Sequence, residues 1–498
     1  MKGISRRAWV VVPVVVVVAA GPACSRPAET AAPVMENKAA REFASDLRGR
    51  LTVDAMMGHL AALQQIADAH DGTRAVGTPG YDASVDYVAD VLRDNGFDVQ
   101  TPEFQTRVFE AGDAILTVSG AAVAANPLNF SAGTPGLSGP LVPAPADDTP
   151  GCAPDDYAGV ALEGAVVLVD RGSCPFQQKQ SIAAKLGAVA MVVANNVDEE
   201  KMGGTLGEDA EVTIPVVSVS KADGARLRAA PGPVTLKLDA KTSTISARNV
   251  LAQTSTGSAR NVVMVGGHLD SVREGPGIND NGSGVAAVLE TAIRLGHAPP
   301  VNHAVRFAFW GAEEIGIVGS RKYIESLDVE GLKDIALYLN FDMIGSPNPG
   351  YFTYDGNQST AVGRGESPPR VPEGSAGIER TFVDYLESAG KTAEDTSFDG
   401  RSDYDGFTMA GIPAGGLFSG AEEDKSPAQA DLWGGTANEP FDPNYHKDTD
   451  TLDRVDRVAL DINGGGVAYA VGFYAQDLGG RNGMPAREDR TRHELSGG

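Results

Sequence analysis

Residues 261–290 read NVVMVGGHLDSVREGPGINDNGSGVAAVLE, and the fold turns on this stretch. Residues 261–265 (NVVMV) form a short β-branched run, the pattern of a buried strand. His268 and Asp270 follow where that strand should end. A Gly-rich loop then carries the chain to Asp280, and Ser283-Gly284 opens an apolar helical stretch ending at Leu295. Strand, loop and helix in this order belong to an α/β protein, whose sites lie in crevices at the carboxyl ends of the strands.

Three later stretches repeat the arrangement. Residues 305–310 (VRFAFW) are strand-like and run into Glu313-Glu314; residues 335–341 (IALYLNF) run into Asp342. Tyr445-His446 sits in a polar loop followed by KDTDT. An acid or a histidine stands at the exit of each apolar run. Together His268, Asp280, Glu314, Asp342 and His446 make a mixed nitrogen and oxygen donor set suited to zinc, with no thiolate near it.

The segments HLDSV, GINDNGSGV, FWGAEE, LNFDMIGS and NYHKDTDT resemble the co-catalytic di-zinc aminopeptidases, metallopeptidase family 28. The resemblance covers nearly all of residues 51–479 and is closest to actinobacterial lipoprotein aminopeptidases with an inserted protease-associated (PA) domain. It implies a mixed, mostly parallel sheet flanked by helices, with a β-rich insert, and two Zn2+ per chain. In that pattern Asp280 bridges the ions, with His268 and Asp342 on one and Glu314 and His446 on the other. Glu313 becomes the general base acting on a metal-activated water. Adjacency separates it from Glu314, because neighbouring side chains diverge. Asp270 is expected to accept the second N–H of His268, and Tyr445 to donate to the tetrahedral oxyanion. Asp395, Asp399 and Arg401 correspond to positions that handle the substrate's free amine.

Composition bounds the rest. The chain has 498 residues, enough for two or three domains, and a formal charge of −25, which argues against nucleic acid. Lys2, Arg6 and Arg7 precede an apolar run too short for a comfortable membrane span, and GPAC ends it at Cys24. Residues 1–24 therefore read as a lipoprotein signal with Cys24 as the lipidated residue, and 25–45 as a Pro/Ala-rich linker. Residues 46–110 read as the first part of the peptidase domain, 111–245 as the PA insert and 246–480 as the catalytic part. Residues 481–498 read as a polar, disordered tail. With Cys24 set apart, Cys152 and Cys174 are the remaining cysteines, and an oxidising compartment favours a disulfide between them.

The expected activity is removal of N-terminal residues from peptides with a free N-terminus, outside the cytoplasm. The protein is expected to be monomeric and either anchored to the outer face of the membrane through Cys24 or secreted. A carboxypeptidase and a glutaminyl cyclase are the alternatives on the same fold. A carboxypeptidase needs cations for the C-terminal carboxylate, and Arg401 is the candidate; cyclases of this fold usually carry one metal. A catalytically dead receptor shell would have lost donors, and none is lost here.

Overall fold

The computed structural model describes residues 38–145, 149–198, 202–208, 210–360, 370–479 and 483–495. The signal sequence, Cys24 and most of the expected linker lie outside the described residues. No helix among them is long and apolar enough to cross a membrane.

The main sheet has eight strands, and its centre is parallel. His303–Trp310, Ser258–His268, Ile335–Phe341 and Ala414–Phe418 lie side by side in that order, all parallel. Val250–Gln253 and Val99–Gln100 extend one side antiparallel, and Phe352–Tyr354 and Glu394–Thr396 complete the other. Central strands covered by helices on both faces must be apolar throughout. All seven residues of Ile335–Phe341 are buried, as are the last seven of Ser258–His268. Parallel direction is what matters for function, because it brings the exits of three donor-bearing runs to one edge.

The helix Arg457–Gln476 packs in the sheet's helical layer and begins ten residues before 467, where apolar periodicity over 467–478 predicts a closing helix to start. Three glycines break its periodicity, yet each permits a close approach. A Cβ on Gly464, Gly465 or Gly466 would stand 2.5, 2.4 and 2.5 Å from Met56, Tyr385 and Leu417 respectively. Asp456 caps its start by accepting the N–H groups of Val458 and Ala459. Against it lies Lys38–Arg50, which buries Ala40, Ala44 and Leu47 at helical spacing. The linker boundary expected at residue 45 thus falls inside a packed helix.

The insert is a separate sheet reached through an antiparallel ribbon, Glu103–Ala111 against Ala240–Arg248. Its eight strands enclose their own apolar clusters, and Cys152 and Cys174 are joined at 2.03 Å.

The C-terminal segment departs from expectation. It is polar, but it is not a loose tail. Arg492 donates to the carbonyls of Gly411 and Ile335 at 2.6 and 3.1 Å, and Arg490 to Lys333 O and Asn261 Oδ1 at 2.6 and 2.7 Å. Arg487 pairs with Asp334 at 2.6 Å. The guanidinium groups satisfy acceptors at or just before the starts of Ile335–Phe341 and Ala414–Phe418 and on Asn261 of Ser258–His268, which composition alone cannot reveal. Removing residues 484–498 should therefore destabilise the protein by at least about 2 kcal/mol, since buried acceptors are left unpaired. Denaturant unfolding measures this, and an unchanged midpoint would contradict it.

Candidate metal centre

Three of the donors reach the centre because a buried strand ends beside them, while Asp280 comes from the turn Ile278–Ser283 that opens helix Gly284–Leu295 and His446 from a loop. His268 is the last residue of Ser258–His268, and Asp342 follows Ile335–Phe341. Glu313 and Glu314 follow Trp310 through a turn in which Ala312 adopts a left-handed φ of 62°. Met343 and His446 share that conformation, at 49° and 56°. Such residues persist where the surroundings over-determine them, often at functional sites.

Asp280 is the common member of two clusters. Its Oδ1 lies 3.3 Å from His268 Nε2, which is also 3.3 Å from Asp342 Oδ1. Its Oδ2 lies 3.2 Å from His446 Nε2, which is 3.0 Å from Glu314 Oε2. The donor atoms within each triplet lie within 4.8 Å of one another. Buried carboxylates crowded together need a cation or a proton, and Glu314 Oε1 is buried without a hydrogen-bond partner. Imidazole and carboxylate donors in this arrangement fit divalent zinc.

The electrostatics follow from burial. Glu313 is 9% exposed; desolvation pushes its carboxyl well above the usual range, and the neighbouring Glu314 adds to this. Burial, with Asp280 close by, raises Glu314 to about 8. Burial opposes protonation of His446, but its contacts with Asp280 and Glu314 outweigh that and raise it to about 10. Asp280, despite burial, is held below the ordinary carboxylate value by its two histidines.

Asp270 does not do what its position in HLD suggests. His268 Nδ1 donates to the backbone carbonyl of Asp270 at 3.0 Å, whereas the carboxylate is 3.8 Å away. Those carboxylate oxygens instead accept the backbone N–H groups of Glu313 and Glu314 at 3.2 and 3.4 Å. Two N–H groups outcompete the imidazole, so Asp270 fixes the turn that aims the two glutamates.

Around the centre is a cavity of about 460 Å³, lined by the donors, Glu313 and Tyr445, and also by the aromatic rings of Phe352, Phe418 and Phe441. Asp395, Asp399 and Arg401 also line it, and none of its lining residues comes from the insert. Arg401 is engaged: it donates to Glu422 at 2.8 Å and to the Tyr445 hydroxyl at 3.2 Å, and it lies 3.5 Å from Glu423. Asp399 accepts the Tyr404 hydroxyl and the Arg401 N–H.

Sequence reasoning missed the groups that hold the donors. Ser402 donates to Asp342 Oδ2 at 2.6 Å. Asp450 accepts the backbone N–H groups of Asn279 and Asp280 at 2.8 and 3.0 Å, and Asp442 accepts Asn279 Nδ2 at 2.7 Å. Asp450 stood in the quoted KDTDT run; nothing in spacing alone pointed from it to Asp280.

Residues 249–471 match the model of peptidase family M28, and residues 137–227 match the PA domain. A probable lipoprotein aminopeptidase of Mycobacterium tuberculosis, LpqL, is 66% identical over 476 residues, 95% of either chain. The chain belongs to peptidase family M28. It is a metallo-aminopeptidase carrying an inserted PA domain. An aminopeptidase of Pseudomonas aeruginosa is 40% identical, the match covering 83% of this chain and 79% of that one. Among solved structures, the aminopeptidase of Aneurinibacillus sp. strain AM-1 superposes with a TM-score of 0.68 at 27% identity, covering 86% of this chain and 95% of its own. BSAP, a zinc aminopeptidase from Bacillus subtilis, gives 0.59 at 25% identity, covering 87% and 97%.

The shifted groups set a pH dependence for the metal-stripped protein. Unfolded carboxylates lose protons near about 4 and unfolded histidine near about 6.5. In the fold Glu314 and Asp450 hold theirs to about 8 and His446 to about 10. From about pH 5 to 9 the folded chain therefore binds more protons, and its stability falls as pH rises. Asp280 is ionised in both states there and adds no slope. Melting of chelator-treated protein at several pH values should descend across this window; a flat or rising profile would contradict the assignment.

Proposed function

We propose that this protein removes N-terminal residues from peptides outside the cytoplasm, using two zinc ions held by His268, Asp280 and Asp342 and by Asp280, Glu314 and His446. The observation that carries the reading is Asp280, whose two oxygens face two different histidines. When bound, zinc supplies Lewis-acid polarisation of the scissile carbonyl and a water acidified towards neutrality.

The chain's own groups supply the rest. Glu313 lines the cavity with its proton affinity raised, so it takes a proton from the attacking water and passes it to the leaving amine. Asp270, through the N–H groups of Glu313 and Glu314, keeps base and donor pointing apart. The Tyr445 hydroxyl accepts from Arg401, which leaves its own proton for the carbonyl oxygen as charge develops there.

Polarity follows from charge. The acids lining the cavity suit a cationic α-amine. A carboxypeptidase would need a cation free to fork onto a carboxylate, and Arg401 is already bound to Glu422 and Tyr445. Asp395 and Asp399 are proposed to attract the amine, and Arg401 to hold Tyr445. Export with a lipid on Cys24 is supported by the charged and apolar N-terminal sequence and by the lipoprotein relative. Both clusters come from a single chain, which supports action as a monomer.

Glu313→Gln should keep its zinc and lose roughly 10²–10⁴ in kcat, the usual size for a general base. Glu314→Gln should lose zinc. Equal metal content in the two variants, measured by elemental analysis, would reverse the assignment. Leu-Ala-NH2 should be cleaved and its N-acetyl form left intact. Release of the C-terminal residue from an N-acetyl peptide with a free carboxylate would overturn the aminopeptidase reading.

A further inference from the structure

Arg74 lies outside the residues that match the peptidase model, in the loop between helices Val53–Ala69 and Pro79–Asp94, and the insert separates it in sequence from every donor. It is nonetheless fully buried against the centre. A buried guanidinium needs acceptors for its donors and a counter-charge. Arg74 has both. Its Nε donates to Pro276 O at 2.8 Å and its Nη2 to Gly277 O at 2.6 Å, while Nη1 donates to Leu269 O. Burial lowers its pKa to about 10, against the pull of Asp270, Asp450, Asp280 and Glu314.

The three carbonyls lie at the two ends of one loop. Leu269 directly follows His268, and Gly277 stands three residues before Asp280. A single rigid fork therefore ties the exit of the His268 strand to the approach of Asp280. Neighbouring contacts tighten the same seam. Arg74 N donates to Ser271 Oγ at 3.0 Å, Thr73 Oγ1 to Val272 O at 3.0 Å, and Ser271 Oγ to Gly275 O at 2.9 Å. Gly277 has a left-handed φ of 61°, and a Cβ there would stand 2.5 Å from the Ser271 Cβ, so the loop's return fits around this seam.

We propose that Arg74 is a positioning residue for the metal centre: by closing the 269–277 loop from both ends it fixes the spacing between His268 and Asp280, and with it the affinity for zinc. It acts through these two residues and does not touch substrate. The inference rests on the donor assignment above.

The test uses the full chain with Arg74→Met, Arg74→Lys and a control, Arg492→Met. Arg492 is likewise buried and donates to the carbonyls of Gly411 and Ile335, but it lies at the C-terminal clamp. Zinc affinity is read by competition with a chelator, beside thermal melting, KM and kcat at saturating zinc. Groups that orient metal ligands are typically worth about 10–100-fold in metal affinity. Arg74→Met should weaken zinc by at least about tenfold, chiefly at the expense of affinity, with kcat of the zinc-saturated enzyme changed less. Arg74→Lys keeps the charge but cannot fork to three carbonyls, so it should fall between. Arg492→Met should lower the melting midpoint and leave zinc affinity unchanged. Unaltered affinity in both Arg74 variants, or an equal loss in Arg492→Met, would overturn the proposal. If Arg74→Met does not fold, Arg74→Lys decides by the same criterion. Wild-type protein that held no zinc would instead sink the donor assignment itself, a distinct result.

Discussion

Asp280 is a buried carboxylate with a different imidazole at each oxygen, and the rest of the catalytic part is arranged to keep it there. A lone ionised carboxylate in this position would cost several kcal/mol. It is sustained by His268 and His446 and by two backbone tethers. Asp450 accepts its own N–H and that of Asn279, and Arg74 closes the loop that leads to it. The acids gathered around it raise one another's pKa, so the site is built to receive positive charge.

The sheet explains why the donors meet. Parallel neighbours expose their carboxyl ends on one edge, and the sheet's own close packing restricts the residues beside them. Gly267 has no room for a side chain, since a Cβ would stand 2.4 Å from Phe341 O. That contact draws the His268 strand against the strand preceding Asp342. The insert contributes none of the residues lining the cavity; its ribbon touches the loop after His268 through the exposed Arg273–Glu110 ion pair at 2.8 Å. Chemistry and insert are therefore separate in structure as they are in sequence.

Much of the site was legible because its signal is local. His268, Glu314 and Asp342 stand just after apolar runs, and strand exits are visible from periodicity. The order His268, Asp280, Glu314, Asp342, His446 along the chain carried the family resemblance, and Cys152 and Cys174 are joined as composition suggested. What stayed hidden depends on contacts between distant segments. The Asp270 carboxylate turned to the 313–314 turn because two N–H groups were waiting there, which no spacing encodes. The helix continues through the glycines at 464–466, where Met56, Tyr385 and Leu417 leave no room for a Cβ, a close approach between distant segments that periodicity does not show. Arg74 and Arg492 belong to no motif, and only their burial and hydrogen bonds show that each clamps carbonyls from other segments.

The central claim is that one carboxylate serves two metal positions. Elemental analysis of zinc in the purified wild-type chain, His446→Ala and Asp280→Ala tests it most directly. The account predicts about two zinc per chain in the wild type, as a two-metal site requires. It predicts about one in His446→Ala, which leaves the His268 cluster whole, and little in Asp280→Ala, which opens both. A wild type holding a single zinc, or an Asp280→Ala variant with its full complement, would contradict it.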